Sequence, residues 1–130
     1  MKFRTFSKQQ RRALTWWLPN SPDRGKQAVI CDGAVRSGKT LCMGISFFCW
    51  AMAGFDNFAL CGKTIGSVER NVIPEILPVL RGFGFRCRYR SSEHRLQVSF
   101  GGRENQFYLF GGRDEGSADL IQGMTLAGVL

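Results

Sequence analysis

Gly33-Ala34-Val35-Arg36-Ser37-Gly38-Lys39-Thr40 fits G-x-x-x-x-G-K-[ST] at every fixed position. Each fixed residue has a chemical reason. Gly33 and Gly38 let the backbone turn tightly enough for successive N–H groups to point at phosphate oxygens. A helix starting near Lys39 adds its positive N-terminal end. Lys39 supplies a point charge to β- and γ-phosphates, and Thr40 supplies a hydroxyl to Mg²⁺. The pattern therefore predicts a cradle for the phosphates of a nucleoside triphosphate. A glycine-rich turn that binds nothing is the bland alternative, and a preceding strand with a following helix argues against it. Arg36 has two readings. It either stabilises the γ-phosphate, as arginines do in phosphoryl transfer, or is a solvated loop side chain.

Positioning such a turn requires a strand before it and a helix after it. Gln27–Cys31 is a short β-rich run, expected as a buried strand. Lys39–Ala53 is long and apolar enough for a buried helix, closed by Gly54. Upstream, Ser7 and Gln10 have capping-box spacing, so Lys8–Leu18 reads as a helix that Pro19-Asn20-Ser21-Pro22-Asp23 breaks. Phe58–Cys61 is a second strand. Thr64–Leu80 is helical, but Pro74 and Pro78 demand a kink or two consecutive pieces. Phe85–Arg90, Arg95–Phe100 and Asn105–Phe110 alternate like a half-exposed antiparallel meander. Ser117–Ile121 reads as a short helix and Thr125–Leu130 as an apolar strand. The order predicts an α/β fold.

The bulk numbers fit one domain or a piece of a larger one: 130 residues, 44% hydrophobic and 22% charged. The net charge is +8, and residues 1–40 hold nine Lys/Arg against two Asp. Such an excess suits a nucleotide phosphate site and polyanionic partners such as nucleic acid. The five cysteines (Cys31, Cys42, Cys49, Cys61 and Cys87) form no C-x-x-C pair. Their odd number, with no apolar leader after Met1-Lys2-Phe3-Arg4, leads to the expectation of a reducing cytoplasm. The most apolar stretch, Leu41–Gly54, is short of the ~20 residues that cross a bilayer, so no membrane is expected.

Several stretches in order resemble the N-terminal ATPase domain of the large subunit of phage terminases. They are Phe6-Ser7-Lys8-Gln9-Gln10, the arginine-containing loop Gly33–Thr40, and Gly62-Lys63-Thr64 with Arg70 and Asn71 downstream. Phe110-Gly111-Gly112-Arg113-Asp114-Glu115 follows, running to Ile121-Gln122-Gly123 and the last apolar strand. The resemblance implies an ASCE-like P-loop NTPase fold, with a parallel-sheet core and a β-hairpin or meander insertion. Residues 1–25 would be an adenine-side helix and loop, and 26–130 an incomplete P-loop core. It implies ATP and Mg²⁺ as ligands, with Gln9 or Gln10 on the adenine. The loop Gly33, Ala34, Val35, Arg36, Ser37, Gly38, Lys39 and Thr40 would lie on the phosphates, with Thr40 on the metal and Lys39 and Arg36 acting in catalysis. As a capping-box partner, Gln10 has a competing duty. Lys63, Arg70 and the cluster Arg86, Arg88, Arg90 and Arg95 become candidates for DNA or a neighbouring subunit, or are a solvated face. The implied partners are double-stranded phage DNA, a terminase small subunit, a portal protein and copies of itself in a ring, in the host bacterial cytoplasm.

The chain departs from that family in one respect that matters. A motor ATPase needs an apolar strand ending in Asp-Glu to hold Mg²⁺ and orient the attacking water. Thr125–Leu130 is such a strand, and the 130 residues stop where those acids should follow. Asp114-Glu115 is a poor substitute, because Gly111-Gly112-Arg113 separates it from the apolar Phe107–Phe110. The acidic cluster of a C-terminal nuclease domain is not in the sequence either. The expectation is therefore a partial terminase whose ATPase and endonuclease activities belong to the complete protein. The alternatives are another P-loop ATPase of helicase type, and a non-catalytic remnant.

Overall fold

The structure is a computed structural model and describes residues 5–34, 38–54, 56–114, 116, 119 and 122–130. The first helix, α1, runs Lys8–Thr15 and starts as its capping box demands. Gln10 N donates to Ser7 Oγ at 3.1 Å, and Ser7 N donates to Gln10 Oε1 at 2.9 Å. Its end comes three residues before the expected Leu18, since turns at 16–20 lead into Pro19. Helix α2 spans Lys39–Met52 and buries Ile45, Phe47, Phe48, Ala51 and Met52. The run after the next strand is two helices, α3 (Ile65–Asn71) and α4 (Ile73–Gly82). Neither proline makes the break, which falls at Val72. Pro74 lies in the first turn of α4, where a missing N–H costs nothing.

Five strands form one mixed sheet: β1 (Asn57–Gly62), β2 (Arg86–Arg90), β3 (Arg95–Phe100), β4 (Arg103–Gly111) and β5 (Gly128–Val129), in the order β2-β3-β4-β1-β5. The meander β2-β3-β4 is antiparallel, as its alternation predicts, while β1 runs parallel to both β4 and β5. The meander is thus a wing of the core sheet, because β4 belongs to both halves. Register puts Phe58 beside Phe107, Phe107 beside Leu96, and Leu60 beside Leu109. These residues share the face that α2, α3 and α4 cover. Phe107 is fully buried and stacks on Phe58 at 5.1 Å between ring centroids, with Phe48 at 4.5 Å on its other contact. Buried Asn105 secures the end of α2: its Nδ2 donates to the carbonyls of Ala51 (2.9 Å) and Gly54 (3.2 Å), and its Oδ1 accepts from Asp56 N.

Two expected strands come out differently. Gln27–Cys31 is not a buried strand: residues 28–31 are in no ladder, and Ile30 is 92% exposed. A strand needs a neighbour, and a cleft of about 1040 Å³ separates this segment from β5 and α2. Thr125–Leu130 contracts to Gly128–Val129 in the ladder, with backbone bonds from Ala127 N to Asn57 O and from Cys61 N to Leu130 O on either side. It is the outer strand of the described sheet, and Val129 is 58% exposed. A side chain at Gly128 would come within 2.5 Å of the Trp50 ring, so glycine lets β5 approach α2. The expected helix over Ser117–Ile121 lies outside the described residues, apart from Asp119.

Candidate functional site

Gly38 is the N-cap of α2 and takes φ +81°, a left-handed conformation in which a side chain would be strained. That conformation turns the chain sharply from the loop into the helix. Lys39, the next residue, folds its side chain back over the loop. Its Nζ donates to the carbonyl oxygen of Ala34 at 3.1 Å and also to that of Gly33. A cation is thus held beside the N-terminal end of α2, where the helix dipole also favours negative charge. Thr40 is exposed on the first turn of the same helix. Val35, Arg36 and Ser37 lie outside the described residues.

Helix α1 forms the other wall. Gln10 Nε2 lies 3.1 Å from the position a Cβ on Gly38 would occupy. Its oxygen closes the capping box, and its nitrogen lies beside the glycine turn. Gln9, Gln10, Trp16, Gly33 and Lys39 all line one open cleft of about 520 Å³. The structure brings these expected residues together. Trp16 was not among them; an aromatic at the end of α1 offers a flat apolar surface beside the amides, and its ring also lies 6.2 Å from Trp50.

The wall is fixed by a carboxylate that has no motif. Asp23 receives Arg12 in a two-pronged bond, Nε to Oδ2 at 2.7 Å and a terminal nitrogen to Oδ1 at 2.9 Å, with Lys26 Nζ at 3.4 Å. These bonds tie the loop before the glycine turn to α1. Hydrogen bonding by Arg12 is the main reason that Asp23 titrates at about 2, against the burial that opposes it. The folded value lies below the ~3.9 of a free aspartate, so the unfolded chain binds this proton more readily. The clamp's contribution is full above about pH 4 and is lost as pH falls through 2. We therefore expect tryptophan fluorescence from Trp16 and Trp17 to hold steady from pH 7 to 5 and to change below pH 4. An Asp23→Asn variant should show no such acid step. A step of equal size in the variant would assign it elsewhere.

Other candidates stand apart. Asp114 Oδ2 accepts from Ile65 N at 2.6 Å, at the start of α3, and is a helix cap in this structure. Lys63 and Arg70 are exposed, one just beyond β1 and the other on α3. Arg86, Arg88, Arg90 and Arg95 lie on β2 and β3, with β2 three strand spacings, about 14 Å, from β1. Among the described residues no group of His, Cys, Asp or Glu is arranged to hold a metal, and no helix is long and apolar enough to cross a membrane.

One mixed sheet, helices packed against it and a glycine–lysine turn opening a helix define a mixed α/β chain. No family model and no curated protein matches the sequence. Solved structures do. The large terminase of a thermophilic bacteriophage matches at 48% identity and a TM-score of 0.92, over 97% of this chain and 32% of that one. The same terminase in complex with ADP matches at 47% and 0.87, over 95% of this chain and 31% of that one. Its complex with ATP-γ-S matches at 44% and 0.86, over 97% and 30%. The chain belongs with the bacteriophage large terminases, and it spans about a third of the length of those it matches.

Proposed function

We propose that this chain is the ATP-binding part of a large terminase, the motor that drives double-stranded DNA into a viral capsid and, through a nuclease domain, cuts it. The observation that carries this reading is the position of Lys39. Its ammonium rests on the Gly33 and Ala34 carbonyls at the mouth of a cleft walled by Gln9 and Gln10. Carbonyls are weak partners for a full charge, and an entering phosphate is a stronger one. On binding, Lys39 exchanges them for β- and γ-phosphate oxygens, and the N–H groups of Gly33–Thr40 close around the same anion. Gln9 or the nitrogen end of the Gln10 amide reads the adenine, and Trp16 lies beside it. Arg36 acts with Lys39 on the γ-phosphate. The complexes of the related terminase with ADP and with ATP-γ-S support the choice of ligand.

Mg²⁺, when bound, neutralises charge on the β- and γ-oxygens. Thr40 would hold it, since its hydroxyl is exposed on the first turn of α2, one residue from Lys39. The remaining partners in this reading are a small subunit, a portal protein and further copies in a ring, within the bacterial cytoplasm. Titration calorimetry with ATP tests the site. Thr40→Val nearly preserves shape and removes the oxygen, so it should weaken binding about tenfold with Mg²⁺, the size of one lost charge-assisted bond. With EDTA the two proteins should bind alike. An equal loss in both conditions would indicate a packing defect and argue against the metal role.

A further inference from the structure

The sheet face turned away from the helices carries a row of arginines. Arg86, Arg88 and Arg90 alternate along β2, so their stems stand about 7 Å apart on one face. Register sets Arg95 of β3 directly beside Arg90, which makes a fourth. Gln97 and Ser99 separate this row from Gln106 and Glu104 on β4. Two carboxylates lie near it among the described residues, and both are engaged. Glu93 takes Arg95, and Glu104 accepts from Gln106 Nε2 at 3.0 Å. Arg90 donates to Gln97 at 3.2 Å. Arg86 and Arg88 are exposed and make no ion pair among the described residues. The buried Nε of Arg95 has no acceptor there either.

A flat row of guanidinium groups with spare donors suits a partner whose acceptors also repeat in a line. A phosphate backbone has that form, and the planar fork of arginine matches phosphate geometry. We propose that the β2–β3 face is a docking surface for the phosphate backbone of double-stranded DNA, an inference that rests on the motor reading above. The interaction is with phosphates and carries no sequence preference.

Binding of the chain to a labelled 30-base-pair duplex, followed by fluorescence anisotropy over a range of salt concentrations, tests this surface. Each phosphate contact contributes about 0.9 to the slope of log K against log salt. Arg86→Gln with Arg88→Gln should therefore lower the slope by about 2 and the affinity at 0.1 M salt by about 60-fold, with the two proteins converging toward about 1 M. The double change to lysine should keep most of the slope, because a charge remains at each position. Lys8→Gln with Arg11→Gln removes the same charge from exposed α1 and should leave the slope nearly unchanged. An unchanged slope in the Arg86/Arg88 glutamine variant, or an equal fall in the α1 variant, overturns the proposal. So does self-association of the chain that only the Arg86/Arg88 variant loses while it still binds DNA normally, since that assigns the face to a protein partner. ATP titration of the same samples reads the nucleotide site separately, so a failure there leaves the DNA result interpretable.

Discussion

Lys39→Ala should abolish measurable ATP binding while the chain stays folded. Lys39 takes no part in the apolar cluster beneath the sheet, and its side-chain bonds go to two loop carbonyls that water can satisfy as well. In the proposed site, removing it deletes the point charge that faces the phosphates. A charge-assisted hydrogen bond contributes about 1.5–3 kcal/mol, so two of them amount to a loss of about 100-fold or more. Calorimetric titration of ATP–Mg²⁺ into both proteins, with thermal melts recorded alongside, separates ligand effects from folding effects. Equal affinities for the two proteins would remove the phosphate assignment. A melting temperature that collapses in the variant would show that Lys39 serves the fold.

The second large effect is on stability. Phe107→Ala should cost about 3–5 kcal/mol, the usual range for emptying a phenylalanine site in a closed core. Phe107 is the point where β4, β1 and α2 meet, in contact with Phe47, Phe48 and Phe58. Those neighbours belong to a helix and to a parallel strand, so they cannot collapse into the hole without moving the sheet. Total stability of a domain this size is about 5–15 kcal/mol, so the variant should unfold at a much lower urea concentration. Tyr108 lies on the opposite face of the same strand, and Tyr108→Ala should cost far less. Similar losses for the two would mean that the sheet is covered on both faces at this point.

What could be read from sequence was what local chemistry fixes. Ser7 and Gln10 specify their own capping box, and alternation alone places Leu96 and Val98 inward. The apolar run 41–52 leaves a helix no choice but burial. Long-range choices were not legible. Gln27–Cys31 has a strand's composition, yet a strand forms only where another strand accepts its hydrogen bonds, and β5 stands across a cleft from it. Val72 ends α3 although two prolines nearby carry the stronger local signal: Pro74 sits in the first turn of α4, where it breaks nothing, and α4 continues through Pro78. Arg12 and Asp23 are eleven residues apart and follow no helical or strand period, so their bond appears only when the loop folds back. Gln10 takes the capping-box role that its spacing to Ser7 predicts. Asp114 was weighed as a motif acid and is instead held at the start of α3.

The most direct test of the nucleotide site is an NMR titration of the isotope-labelled chain with ATP-γ-S and Mg²⁺. The account predicts saturable shift changes at Gln9, Gln10, the Trp16 indole and Gly33–Thr40, with Lys39→Ala silencing them. Arg86–Arg90, on the far side of the sheet, should not respond. Saturable changes centred away from the cleft, or none at millimolar nucleotide, would contradict it.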